Sequence, residues 1–254
     1  MAATKKVRRP ILNHLTGKMC GRVTQFTVAQ KFYHSLGLSF SLGQPRYNIS
    51  PGTKLVCVRR EQGELKAEQI YWGFVPAWAQ GSSTQEEHAN ARIETVSEKI
   101  TFKDAIKNHR CLVPVDGYYE WKNVGKLKVP YYFRRTDGDP LILAGLWSTQ
   151  MRRDGETQKS LCLLTTKPNR EAAQVHSRMP VIISHDNQKI WLSDQPLSQP
   201  SLDLISATPA AGLLNLYRVS SEVNRVAIDK PELIKPVIGQ LDQPDFLGDL
   251  LGES

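Results

Sequence analysis

Tyr131-Tyr132-Phe133-Arg134-Arg135-Thr136-Asp137-Gly138-Asp139-Pro140-Leu141-Ile142-Leu143-Ala144-Gly145-Leu146-Trp147 is the stretch that decides the fold class of this chain. Aromatic and aliphatic runs flank Asp137-Gly138. Such residues favour extended backbone, where branched and aromatic side chains pack on a pleated surface. Asp-Gly between them predicts a β-hairpin, since both residues tolerate the positive φ of a tight primed turn. Working outward, Leu55–Val58, Cys111–Val115, Leu161–Thr166 and Val181–Ser184 are runs of the same kind, punctuated by Gly, Pro and Asp.

Helical spacing is rarer. Val28, Phe32 and Leu36 recur at helical intervals, with Thr27 as N-cap and Gly37 as stop. Glu94 to Asn108 reads as a helix with Phe102 and Ile106 on one face, and two more helices are expected near Asn169–Val175 and Asn187–Leu192. Few of the extended runs alternate with long helices, which argues against a doubly wound parallel sheet. The reading is α+β: mostly antiparallel strands curled on themselves, with helices outside. The chain has no internal repeats.

At 254 residues the chain has room for one large domain or two small ones. Apolar residues make up 40%, enough for a substantial core. No run approaches the roughly 18 apolar residues of a membrane span. No apolar signal-peptide core follows the basic start, so secretion is not expected. The expected location is the cytoplasm. Four cysteines, Cys20, Cys57, Cys111 and Cys162, show no metal spacing. The last three lie in strand-like runs and read as buried structural thiols in a reducing compartment.

The net charge of +8 is unevenly placed. Lys5, Lys6, Arg8, Arg9 and Lys18 are unopposed by any acid in residues 1–18, and without them the charge falls to +3. Net charge therefore does not argue for nucleic-acid binding, which requires a local basic groove. Residues 1–18 read as an unstructured leader: either translation starts at Met19, or the leader is removed by proteolysis. Residues 237–254 read as a loosely held tail.

Met19-Cys20-Gly21-Arg22 carries the chemistry. A methionine before a cysteine is a place where a chain can start and lose its methionine. The cysteine left behind has an α-amine of pKa about 7.7–8.0 two carbons from a thiol of pKa about 8.5. That 1,2-aminothiol condenses with an aldehyde to an imine, and the thiol then closes a thiazolidine ring. On this tetrapeptide alone, an ordinary buried cysteine is the better reading.

Five further segments bear on that choice: Arg46-Tyr47-Asn48-Ile49-Ser50-Pro51, Trp72-Gly73-Phe74-Val75-Pro76-Ala77-Trp78, Asn90-Ala91-Arg92-Ile93-Glu94, Pro114-Val115-Asp116-Gly117-Tyr118-Tyr119-Glu120-Trp121 and His176-Ser177-Arg178-Met179-Pro180. In this order, after Met-Cys-Gly-Arg, they resemble the SRAP family (SOS response-associated peptidase). The resemblance runs from Met19 to Pro236. It implies a single α+β domain with a barrel-like strand core, and covalent capture of abasic sites in single-stranded DNA through Cys20. Autoproteolysis that exposes Cys20 is also attributed to the family. No cofactor or metal is implied, and the expected state is a monomer. Two rival readings remain at this point: a peptidase acting on its own N-terminus, and a non-covalent reader of damaged or modified DNA.

On this resemblance, each site residue has an expected role. An abasic sugar is mostly a closed hemiacetal, so capture needs proton transfer to open it. Glu120 fits that task, because flanking aromatics raise a carboxyl pKa into a useful range. His176 fits the acid–base work at neutral pH. Asn90 orients the sugar or the amine, and Arg92 forks onto phosphate. Glu94 is expected to be structural, paired with an arginine. Arg22 and Arg178 are further phosphate candidates. Asn48 either holds the N-terminal loop or touches substrate. Thr165 stands on a strand end with its hydroxyl available to the pocket. Trp72, Trp78 and Trp121, with Phe74, are stacking candidates, of which one or two are expected at the DNA surface.

Overall fold

A computed structural model describes residues 21–41, 43–79, 86–151 and 155–237. The leader, Cys20 and all of the tail but Val237 lie outside the described residues. In chain order the elements are β1 (Arg22–Gln25), α1 (Val28–Ser35), β2 (Arg46–Ile49), β3 (Lys54–Glu61), β4 (Glu64–Trp72) and β5 (Asn90–Arg92). Then follow α2 (Lys103–Asn108), β6 (Arg110–Val115), β7 (Gly117–Val124), β8 (Leu127–Arg135), β9 (Leu141–Met151) and β10 (Thr157–Thr166). The last are β11 (Met179–Pro180), α3 (Gln188–Trp191), α4 (Gln199–Ser206) and β12 (Leu214–Arg218). The chain is a single α+β domain of mostly antiparallel strands.

Five strands close into a barrel. β10 pairs with β4, β4 with β3, β3 with β6, β6 with β9, and β9 returns to β10. Only the β10–β4 contact in this ring is parallel. Alternation along each strand gives two faces. Leu55, Cys57, Ile70, Trp72, Val113 and Leu163 point into the barrel. Val58, Leu112, Ala144, Cys162 and Leu164 point out, under Phe32, Phe102, Ile106, Trp191 and Ile205 from the helices. The interior is tight. A Cβ at Gly145 would lie 2.7 Å from Cys111 Sγ, so the strand needs glycine there. Cys57, Cys111 and Cys162 are buried free thiols, and burial raises the pKa of Cys111 and Cys162.

A second sheet, in the order β12-β8-β7-β1-β2, packs Val23, Ile49, Tyr118 and Phe133 into the same interior cluster. Its other face holds Tyr119 and Tyr132 against Val219, Val223 and Leu233. At the N-terminal half of β10, far from Thr165, Arg59 pairs with Glu61 and Glu68 and lies 4.7 Å over the Trp147 ring.

The hairpin predicted at Asp137-Gly138 is not formed. β8 is already flanked by β7 and β12, and β9 by β6 and β10, so the turn carries the chain from one sheet to the other. The helix expected over Glu94–Asn108 is a three-residue 3-10 turn at Ile93–Thr95 followed, after a mostly exposed bend, by α2. Pairing of β5 with β10 fixes the chain direction into Ile93, and the axis does not continue from there. Phe102 and Ile106 are nevertheless buried together. Near Asn169–Val175 only a 3-10 turn at Ala172–Gln174 forms. Val181–Ser184 is extended but contributes one bridge, Ile182 with Leu143: the Val181 carbonyl accepts from Ala144 and the Ile183 N–H donates to the Ile142 carbonyl of β9, while the Val181 N–H turns to the Leu164 carbonyl of β10.

Candidate active site

The C-terminal end of β10 assembles the site. Thr165 pairs with Arg92 of β5 on one edge and with Pro180 of β11 on the other. Three motifs distant in sequence therefore meet at one strand end: Asn90 to Glu94, Thr165, and His176 to Pro180. Thr165 is fully buried, and its hydroxyl donates to the Ala91 carbonyl at 3.3 Å. Asn90 is half-buried, two residues before Arg92 and so on the same face of β5.

Arg178 forks onto Glu94, Nη1 to Oε1 at 2.5 Å and Nη2 to Oε2 at 2.7 Å. The same Nη2 donates to the Thr165 carbonyl at 2.6 Å. Glu94 is thus paired with an arginine as expected, and the charge placed on Arg178 as a phosphate ligand is already engaged inside the protein. Desolvation is the largest single influence and works against the Glu94 carboxylate, but the Arg178 fork, a backbone N–H and the Arg178 and Arg92 charges together outweigh it, and the carboxyl titrates below its ordinary value. His176 is half-buried; its Nδ1 accepts from the Arg178 backbone N–H at 3.1 Å, and burial lowers its pKa. The Arg92 side chain is exposed and makes no hydrogen bond or ion pair among the described residues, and its charge helps to hold the Glu94 carboxyl down.

Glu120 comes from the second sheet. It is 4% exposed, on the face of β7 that carries Tyr118 into the interior cluster. Arg22, the first residue of β1, pairs with Tyr119. The chain that follows Cys20 therefore enters β1 at the Glu120 end of β7. Val175 and Met179, which flank His176, lie in the same cluster as Val23 and Tyr118. That shared core ties the β10 end to the β1–β7 pair.

A model of the family described as SOS response associated peptidase (SRAP) matches residues 19–226. The chain belongs to the SRAP family. It is 30% identical over 222 residues to the abasic site processing protein YoqW of Bacillus subtilis, covering 85% of this chain and 99% of YoqW. Identity to the abasic site processing protein YedK of Escherichia coli is 27% over 227 residues, 86% of this chain and 100% of YedK. The abasic site processing protein HMCES of Xenopus tropicalis is 26% identical over 226 residues, 77% of this chain and 67% of HMCES. A solved protein of Bacteroides thetaiotaomicron shares the fold with a TM-score of 0.75 at 21% identity, over 86% of this chain and all of that one.

Within this SRAP chain, several expected ligands are turned inward. Arg22 Nη1 donates to Asn48 Oδ1 at 2.5 Å and to the Val223 carbonyl at 2.7 Å. Burial works against its charge and lowers its pKa. Asn48 Nδ2 donates to the carbonyls of Val223, Arg225 and Ile228. Both side chains are buried, so as placed neither is open to a phosphate; Asn48 holds the loop over residues 223–228 to β2. Trp72 and Phe74 are core residues, 0% and 1% exposed, and the Trp72 indole donates to the Ala89 carbonyl. Full burial removes both from the set of stacking residues. Trp121 is half-buried and tied through Nε1 to Asn224 Oδ1 at 2.8 Å. Trp78, on the 3-10 turn Ala77–Ala79, is 65% exposed. No group of three metal-ligating side chains occurs among the described residues, and no helix there is long and apolar enough to cross a membrane.

The pairings that hold this strand end and the β1–β2 edge are not visible in the sequence. Arg178 and Glu94 are 84 positions apart, and Arg22 and Val223 are 201 apart. No local pattern marks such pairs.

Proposed function

We propose that this protein captures abasic sites in single-stranded DNA by a covalent thiazolidine link through Cys20 as the mature N-terminal residue. The α-amine adds to the C1′ aldehyde and the adduct loses water to give an imine. The thiol then adds across the C=N bond, so aldehyde and aminothiol yield thiazolidine and one water. The observation that carries this reading is the meeting of Asn90, Arg92, Thr165, His176 and Arg178 at one end of β10, joined through a common core to the β1–β7 pair. The names of the relatives support the substrate: three are abasic site processing proteins.

Glu120 opens the hemiacetal by proton transfer at the ring oxygen. His176 serves the oxygen that leaves as water. Arg92 takes a phosphate beside the lesion, and Trp78 stacks on a neighbouring base. An abasic lesion presents no base to read, so backbone charge, stacking and the covalent step provide recognition. The protein acts as a cytoplasmic monomer without metal or cofactor. Exposure of Cys20 by autoproteolysis, and a lyase step at the captured sugar, belong to the same reading.

The test is a denaturing gel of the protein with abasic and intact oligonucleotides, beside the intact mass of the native protein. A heat-stable adduct with abasic DNA alone, lost in Cys20→Ala, is expected, and the native mass should lack residues 1–19. The Cys20→Ser amine still forms an imine that borohydride traps. Binding without an adduct would make the protein a non-covalent reader. A cleaved chain without an adduct would leave only the peptidase. An active form that retains residues 1–19 rules the mechanism out.

A further inference from the structure

Among the described residues the His176 ring is held at Nδ1. The backbone N–H of Arg178 donates to its Nδ1 at 3.1 Å. An imidazole nitrogen that accepts from an amide carries no proton, so the neutral ring bears its single N–H on Nε2. The residue that supplies this amide is itself anchored at two points. Its guanidinium forks onto Glu94 and reaches both the carbonyl and, at 3.2 Å, the hydroxyl of Thr165. The turn from His176 to Arg178 is thereby fastened to β10 and to the segment that follows β5.

We propose that Glu94 and Arg178 are positioning residues that hold His176 as the Nε2–H tautomer, so that the imidazole works through Nε2 alone. This rests on the abasic-site reading for its chemistry, though not for its geometry. Protonation of Nδ1 would set two N–H groups against each other, and the Arg178 charge opposes it as well. A neutral ring with its proton on Nε2 donates a hydrogen bond but is neither a ready acid nor a base. His176 then polarises the departing oxygen, and the net proton transfers fall to Glu120. Arg178 acts through His176 rather than on phosphate.

The test is a long-range 1H–15N correlation spectrum of the full chain labelled with 15N-histidine, at pH 8 and without DNA. His176 is assigned by its loss in His176→Gln. One protonated and one bare ring nitrogen, unaveraged, are expected in the wild type. Glu94→Ala and Arg178→Ala should pull the two shifts together toward the averaged pair of a free imidazole. Crosslinking at saturating abasic DNA should then slow by roughly ten-fold or more, the usual scale for losing an orienting partner, with affinity for undamaged strands kept. Where Arg178→Ala fails a thermal melt, Arg178→Lys replaces it, since it keeps the charge and loses the fork.

An Nδ1–H or averaged pattern in the wild type overturns the proposal. So does an unaveraged Nε2–H pattern in both folded variants. Weaker binding with a flatter salt dependence and a normal rate at saturation would make Arg178 a phosphate ligand, which also overturns it. The spectrum is read without DNA. A wild-type protein that shows the single tautomer but forms no adduct therefore refutes covalent capture and not the tautomer.

Discussion

The guanidinium of Arg22 donates to the side-chain carbonyl of Asn48 at 2.5 Å, and both side chains are buried. Two residues that the motifs offered to DNA instead bind each other and the loop over residues 223–228. Asn48→Ala strands a buried arginine donor and removes three bonds to loop carbonyls. An unsatisfied buried group costs about 1–3 kcal/mol, and each kcal/mol lowers the melting temperature by about 2–4 °C at this size. A thermal melt should show that loss, while the salt slope of single-strand binding stays unchanged. A stable Asn48→Ala variant with a flatter slope would return Asn48 to the DNA surface.

Arg92→Ala should weaken binding to single strands of any sequence, because an exposed guanidinium on β5 reads charge and not bases. Loss of one phosphate contact reduces the log–log salt slope by about 0.7 on a single strand. Titration at several salt concentrations measures it. Arg178→Lys, whose charge stays in the Glu94 pair, should leave that slope alone.

Trp78 and Trp72 should behave oppositely. Trp78→Ala removes an exposed ring and should cost about 1–3 kcal/mol of single-strand affinity with little change in melting temperature. Trp72→Ala empties a fully buried site inside the barrel and should cost about 3–5 kcal/mol of stability. Paired melts and binding isotherms of the two variants separate stacking from packing.

Glu120→Gln keeps the shape of the side chain and loses the transferable proton. Crosslinking under single-turnover conditions at saturating DNA should slow by about 10²–10⁴-fold, with affinity nearly unchanged. A wild-type rate in the folded variant would move the proton donor elsewhere.

His176 also links stability to pH. In the unfolded chain it takes a proton near pH 6.5. In the folded chain burial, followed by the Arg178 charge, keeps it neutral to lower pH. The unfolded state then binds more protons across that window. Its contribution is fully present above pH 6.5 and is lost as pH falls through the folded value. The ring is half-buried, so the effect is modest. Melting curves of His176→Gln should be flatter than wild type between pH 7 and 5.

The apolar runs at Cys111–Val115 and Leu161–Thr166 are legible as strands because side-chain type and spacing act locally. So are the buried thiols, which sit within such runs. The six motifs in order name the family and bring Glu120, His176, Asn90 and Arg92 to notice. Pairing is a different matter. Gln62-Gly63 joins β3 and β4 with both φ positive, whereas Asp137-Gly138 passes between sheets. Nothing in either dipeptide tells which neighbouring edge is already occupied.

The sequence by itself determined the strand-rich α+β class, the lack of any apolar run as long as a membrane-spanning helix needs, and the residue types available for acid–base and phosphate chemistry. Only the tertiary structure decided which of them face outward. Closure of the barrel turns Trp72 inward, and the second sheet seals Arg22 against Asn48. Register on β10 sets Arg92 beside Thr165, and the turn after His176 brings Arg178 onto Glu94. Burial and charge pairing depend on which strand edges and loops meet across the chain. Those contacts are set by the whole closed sheet, and no local stretch contains them.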